Sequence, residues 1–295
     1  MIRTSITVLF SLLLGAGIAH ATPSELIVCG GSEVYIFDTS STDSPPKKLW
    51  TWRAADHPEI PEDARKRFGS TADCKPVRGG RKILITSSGG GVALVDRASG
   101  KCEFCAVVPY AHSADIVPNG RIVVAASTSS ELVVLDGKSP AKIICTADLV
   151  SAHGVVWDRA RRTLWALGDK EIRSYRLRGW YSDAPQLELS GTHPLPEGGG
   201  HDLYPVPGTS MLSVSAWSRC FLFDTETHGI RPHDLLLKAY SIKSLDLSPD
   251  TGRLAYVQAE GGNWWSDDIH LLNPSGTITL PGERIYKARW SATPP

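Results

Sequence analysis

Short apolar runs alternate with turn residues along almost the whole chain, and the runs group in fours. One group spans 113–117, 121–126, 131–136 and 141–147. Its runs are rich in Val, Ile and Leu, and its gaps carry Gly, Pro, Asn, Asp or Ser, the pattern of strands joined by turns. Equivalent groups begin near Asp73, His153, His201 and Lys243, at a spacing of about 40–50 residues. Four strands per repeat at that spacing predict the blade of a β-propeller.

The ends of the chain turn the repeat into a ring. Only three strand-like runs, 25–30, 33–38 and 47–53, precede the first internal group, and a single run, 285–290, follows the last. Together they complete one more blade. The expected fold is therefore all-β: a six-bladed β-propeller of four-stranded blades, closed by the C-terminal strand joining the N-terminal three-stranded blade. Closure of this kind removes the exposed sheet edges that an open array would carry. The one helical pattern, 61–68, begins with Pro and acids and allows one or two turns.

Residues 1–21 read as an export signal: Arg3, an apolar run over 8–18, then Ala19-His20-Ala21 as a small-x-small cleavage site. That run is too short for a membrane span, and no Cys sits at the cleavage point to suggest a lipoprotein. The expectation is a cleaved signal peptide and one propeller domain over 22–295, periplasmic or secreted, monomeric, with no membrane span. The 31 basic and 31 acidic residues give no electrostatic reason to expect nucleic acid or an anionic bilayer as partner. Six cysteines, Cys29, Cys74, Cys102, Cys105, Cys145 and Cys220, lie in the exported part. Sequence does not choose among their pairings. Cys102-Glu-Phe-Cys105 falls in a strand-like run, where residues three apart point to opposite faces. Buried thiols or a disulfide therefore fit it better than a redox or zinc motif.

Three histidines, His112, His153 and His201, open successive groups, 41 and 48 residues apart. In a ring a fixed phase is a fixed place, so the three imidazoles should converge at one mouth of the central channel. Asp73 and Lys243 fall at the matching phase of the flanking blades, with Tyr286-Lys287 in the closing one. Three imidazoles suit a divalent metal, Mn, Zn or Ca, and a catalytic metal keeps three protein ligands and an open position. Metal-free catalysis, with one histidine as base, and purely structural hydrogen bonding are the other readings of the same residues. Lys75 adds charge beside Asp73, as partner in an ion pair or as holder of an anionic ligand. Trp217, Arg219, Trp264 and Trp265 lie in loops expected on the same face, and Arg53 leads to it. Aromatic faces beside basic groups suit sugar rings with acidic substituents; packing between blades is the plainer reading for Trp50 and Trp157. No nucleophile elbow, zincin helix motif, P-loop or calcium loop is present in the sequence.

Several segments resemble a family of exported bacterial propeller-like proteins of unknown function, the DUF6528 group. They include Asp73-Cys-Lys-Pro-Val77, Lys82-Ile-Leu-Ile-Thr-Ser-Ser88, Ala111-His-Ser113, His153-Gly-Val-Val-Trp-Asp158, Leu164-Trp-Ala-Leu-Gly168 and Gly199-Gly-His-Asp202. Gln258-Ala-Glu260, Asn263-Trp-Trp265 and Tyr286-Lys-Ala-Arg-Trp290 extend the resemblance over nearly the whole exported chain. It implies fold and export but no activity. At the level of fold alone the chain is also similar to propeller polysaccharide lyases, in which a histidine cluster at the channel mouth holds a metal that neutralises a uronate carboxylate. Those proteins have seven blades.

The resulting expectation is a carbohydrate-active enzyme that cleaves a uronate-containing oligosaccharide by elimination or hydrolysis. In that reading His153, Lys243 and Tyr286 are catalytic, and His112, His153 and His201 hold the cation. Asp73, Lys75, Arg53, Trp217, Arg219, Trp264 and Trp265 contact substrate. The competing class is a non-catalytic propeller that binds a glycan or a protein, its channel histidines structural.

Overall fold

The computed structural model describes residues 24–291, so the expected export signal lies outside the described residues. Six four-stranded antiparallel sheets form a ring. Blade 1 runs through Thr71–Val77, Lys82–Ser87, Gly91–Asp96 and Cys102–Val107, and blade 2 through Ala111–Ile116, Ile122–Ala126, Glu131–Asp136 and Ser139–Asp148. Blade 3 comprises Gly154–Asp158, Thr163–Leu167, Glu171–Arg178 and Gln186–Pro194; blade 4 comprises Asp202–Pro205, Met211–Ser215, Cys220–Asp224 and Ile230–Pro232. Blade 5 is Ile242–Leu247, Leu254–Gln258, Asp268–Leu272 and Gly276–Thr279. The closing blade joins Glu25–Cys29, Val34–Asp38 and Lys48–Trp52 to Lys287–Trp290, which pairs antiparallel to the first strand in the register Leu26 opposite Trp290. The helical pattern at 61–68 appears as a single α-turn, Glu62–Arg65, followed by a 3-10 turn, Lys66–Phe68. No helix among the described residues is long and apolar enough to cross a membrane.

The innermost strand of each blade carries a strict alternation that sequence period alone left approximate. Bulges at Thr71/Asp73, Ala111/Ser113 and Ile242/Ser244 make Ala72, His112 and Lys243 equivalent. Asp73 therefore sits one step deeper than the histidines, level with Ser113 and Ser244, and the phase expected from sequence is corrected by one residue. His153 and His201 precede Gly154 and Asp202 in the same way, each donating its backbone N–H to the second strand, at Leu167 and Ser215. The mouth layer is thus Ala72, His112, His153, His201, Lys243 and Tyr286.

Two residues beyond each mouth position stand Cys74, Ala114, Val155, Leu203, Leu245 and Ala288, all buried in the apolar cores between blades. The positions on either side of these point into the channel. An inner strand is also a sheet edge, and its free N–H groups are capped by the preceding blade. Asp115 accepts from Trp157 N at 2.8 Å, Asp246 from Trp290 N at 2.8 Å, and Asp202 from Leu245 N at 3.1 Å. Such caps satisfy donors that burial would otherwise leave unpaired.

Cys102 and Cys105 depart from the sequence expectation. A bulge sets Cys102 opposite Val95 and Cys105 opposite Ala93, so the strand gains one residue between them. Both then pack against one core cluster instead of facing opposite ways. All six cysteines are free thiols.

Candidate functional site

At the mouth, residues of five blades share one backbone device. The residue two before each mouth side chain has a left-handed φ: Tyr110 at 57°, Ser151 at 50°, Gly199 at 78°, Ser241 at 51° and Arg284 at 46°. The turn folds the upstream carbonyl back on the imidazole. His153 Nδ1 lies 2.8 Å from Ser151 O, and His112 Nδ1 lies 3.1 Å from Tyr110 O and 3.0 Å from Ser127 Oγ. A carbonyl only accepts, so Nδ1 carries the proton in both rings and Nε2 keeps its lone pair. At Gly199 a Cβ would lie 2.9 Å from the Trp217 Cβ, so the glycine allows that indole to pack close to His201.

The three rings meet as the phase argument requires. Ring centroids of His112 and His153 are 4.6 Å apart, those of His153 and His201 5.4 Å, and Tyr286 stands 6.4 Å from His112. Lys243 Nζ donates to His201 Nε2 at 3.2 Å, while His201 Nδ1 is buried without a partner. Two exposed indoles flank the cluster: Trp217, 6.1 Å from His201, and Trp264, 5.6 Å from Tyr286.

Burial sets the protonation of the cluster. It pushes His153 down to about 3, helped by His112, and His201 down to about 2, helped by the Lys243 charge. His112 is lowered by the same burial. Lys243 is brought down to about 8 by burial and then by Lys287, and the Tyr286 phenol is pushed up to about 12 by burial. At neutral pH the mouth therefore holds three neutral imidazoles, a neutral phenol and one readily deprotonated ammonium.

Below the mouth an ion network plugs the channel. Arg289 forms a two-pronged pair with Asp202, at 2.8 and 2.6 Å, and reaches Asp73 at 3.2 Å through Nε. Lys287 Nζ lies 2.7 Å from Asp202 and 3.6 Å from Asp73, and Ser113 Oγ donates to Asp73 at 2.9 Å. Lys75 Nζ donates to Val155 O at 2.6 Å, with Asp73 at 3.9 Å. Burial alone would raise Asp73 and Asp202, but Arg289 and Lys287 hold both below the ordinary carboxylate value. Asp246 lacks such a partner, and burial pushes it up to about 8. Burial also raises the neighbouring Asp115 and lowers Lys75, so both are pushed towards their neutral forms. Asp246 also gives a sign for pH dependence. Its folded value is raised, so its contribution to stability is present below about pH 4 and is lost as pH rises to about 8. Asp246→Asn, which keeps a neutral acceptor for Trp290 N, is expected to gain stability relative to wild type between those limits, as urea midpoints at pH 5 and pH 8 will show.

The structure thus gathers His112, His153, His201, Lys243, Tyr286, Trp217 and Trp264 at one mouth. It sets Asp73 and Lys75 in the plug, with 1% and 4% of their surface exposed. Trp265 packs under Arg284, 5.6 Å from ring centroid to guanidinium; Arg219 faces Glu197 at 3.6 Å, and Arg53 faces Glu33 at 3.2 Å. Sequence reasoning missed Arg289, Asp202, Asp115 and Asp246, and it set Lys287 at the mouth beside Tyr286 rather than in the plug. The orphan strand held a signal for the two cations. Lys287-Ala-Arg289 alternates charge with a small apolar residue, which puts both cations on one face of the innermost strand. Among the described residues no group of three or more His, Cys, Asp or Glu side chains is placed to hold a metal ion.

The propeller resembles solved structures at the level of fold. One is a chain of the Kuenenia stuttgartiensis hydrazine synthase, with TM-score 0.53, 13% identity, and coverage of 70% of this chain and 65% of that one. This chain therefore spans less than two thirds of that relative. Another is a chain of a mitotic checkpoint complex, with TM-score 0.56, 14% identity, and coverage of 80% and 68%. No curated protein matches the sequence. Residues 31–293 match the model of one family. The chain belongs to DUF6528, a family of unknown function whose fold here is a six-bladed β-propeller.

Proposed function

We propose that the channel mouth binds a uronate-containing oligosaccharide and cleaves it by β-elimination. One observation carries the reading: imidazoles held neutral with Nε2 unprotonated lie beside the Lys243 ammonium, between two exposed indoles. Trp217 and Trp264 would pack the C–H faces of sugar rings. Lys243 would meet the uronate carboxylate, lowering the cost of charge that develops at C5. His153 Nε2 takes the C5 proton; the C–H electrons form the C4–C5 double bond; the C4–O bond breaks. Tyr286, a neutral phenol, gives its proton to the departing oxygen. A bound carboxylate also raises the basicity of His153, so the base strengthens as substrate arrives.

The reading calls on no metal, because His201 offers Nε2 to Lys243 rather than to a cation. Elemental analysis of the purified protein checks this: less than stoichiometric Mn, Zn or Ca is expected. One equivalent lost in His153→Ala would replace this mechanism with a cation-assisted one.

The test is incubation with a panel of uronate oligosaccharides, followed by ultraviolet absorbance of the unsaturated product. His153→Ala is expected to lower turnover by about 10²–10⁴-fold. Reducing ends released without that absorbance mean hydrolysis in the same pocket. Binding without turnover means a glycan-binding propeller, and either result overturns elimination. The pH profile follows from the mouth: activity is expected to fall above about pH 8 as Lys243 loses its proton. No histidine limb is expected near pH 6.5, because His153 stays neutral down to about 3. Lys243→Arg should carry the alkaline limb upward.

A further inference from the structure

The opposite end of the channel holds a cavity of about 1230 Å³, framed by the turns that leave the inner strands of blades 1 to 4. The plug of Arg289, Lys287, Asp73 and Asp202 separates it from the histidine mouth. Its rim carries five arginines, Arg78, Arg81, Arg159, Arg161 and Arg162, and Lys75 stands in its floor, against only Asp115 and Asp158. Arg161 is engaged with Asp158 at 3.1 Å and with Glu226. No carboxylate among the described residues lies within ion-pairing distance of Arg78, Arg159 or Arg162, and all three are exposed. Two of these guanidiniums occupy left-handed turn positions, Arg78 at φ 57° and Arg162 at φ 52°, where glycine would be unstrained. Side chains of one sign, unpaired and converging on a concave surface, raise the local concentration of an anion.

The walls are not merely charged. Trp157, Tyr181 and Tyr204 line the same cavity. A side groove of about 480 Å³ continues from it along blade 3 between Trp157, Trp180, Tyr181, Arg162 and Arg176. Aromatic faces interleaved with guanidiniums along a groove suit a ligand made of several rings, each bearing an acid. Tyr181 stands with 75% of its surface exposed at the junction of cavity and groove, with no packing partner that would account for it.

We propose that this basic cavity is a second binding site, distinct from the histidine mouth, for an acidic oligosaccharide of a few residues. It stands whether or not the mouth turns over substrate. Carboxylates meet Arg78, Arg159 and Arg162, one ring lies over Tyr181, and the chain follows the groove past Arg176.

Calorimetric titration of trigalacturonate into Trp217→Ala/Trp264→Ala protein tests the cavity without the mouth. The expected result is one equivalent bound, weaker as salt rises, with no binding of neutral maltotriose. Adding Arg159→Gln and Arg162→Gly should weaken it at least tenfold; both residues are exposed, so melting should be unchanged. In wild-type protein, trigalacturonate should protect Arg159 and Arg162 from phenylglyoxal. Absence of binding, equal binding of maltotriose, or an affinity indifferent to the arginine changes overturns the site. Tighter binding of ATP than of trigalacturonate, lost in the same arginine variant, overturns the acidic-sugar assignment in favour of phosphates.

Discussion

Asp202→Ala is expected to cost about 3–5 kcal/mol of stability, because removing one partner of a buried charged network strands the others. Asp202 accepts from both terminal nitrogens of Arg289, from Lys287 and from Leu245 N. In its absence a guanidinium and an ammonium with 0% and 1% exposure share only Asp73. Thermal melting should fall by roughly 6–20 °C for a chain of this size. The control is Asp246→Asn, which removes a carboxyl already carrying its proton at pH 7 and should leave the melting temperature at pH 7 unreduced. The sign for acid follows from the same charges. Arg289 and Lys287 hold the folded value of Asp202 below the unfolded one. Its contribution is therefore present above about pH 4 and lost as pH falls through the folded value. An Asp202→Ala variant no less stable than wild type at pH 7 would show that the plug contributes specificity of packing rather than stability.

Ending the chain at Ile285 is expected to abolish cooperative folding. The deleted strand carries Trp290, 2% exposed and bonded through Nε1 to Asp246 O at 3.1 Å, together with Lys287 and Arg289 of the plug. Loss of the Trp side chain alone costs about 3–5 kcal/mol. Losing the strand also unpairs the edge Leu26–Cys29 and leaves Asp73 and Asp202 buried without Lys287 or Arg289. The sum is comparable with the whole stability of a domain, about 5–15 kcal/mol. Broad, non-cooperative urea unfolding is the expected readout. A circular permutant gives the complementary result. Ser291 N lies 3.0 Å from Glu25 O, so a short linker from Ser291 to Ser24 spans the closure without strain. With new ends in an exposed turn, that permutant should fold, because the closing blade needs the strand and not its position in the sequence. If the truncated chain melts cooperatively, closure is not what holds the ring.

Blade number, closure and the convergence of the histidines were legible because each rests on local signals. Alternation of period two marks strands, turn residues mark gaps, and equal spacing turns phase into position. His112, His153 and His201 needed only that arithmetic. Asp73 was misplaced by one step because a bulge adds a residue without changing composition, and the same device put Cys102 and Cys105 on one face. The basic cavity was not legible at all. Arg78, Arg159 and Arg162 lie in turns of two blades that read as ordinary solvated loops, and only ring geometry brings them to one rim.

The sequence by itself determined the six-bladed ring, its closure by the last strand and the gathering of three imidazoles, since these follow from periodicity along the chain. The tertiary structure decided which way each polar group acts. It made the imidazoles neutral, lowered Lys243, and turned Asp73 and Lys75 from mouth residues into parts of a buried plug. The reason is that protonation and pairing depend on burial and on charges contributed by other blades. Arg289, for example, meets Asp73 from 216 positions away in the chain.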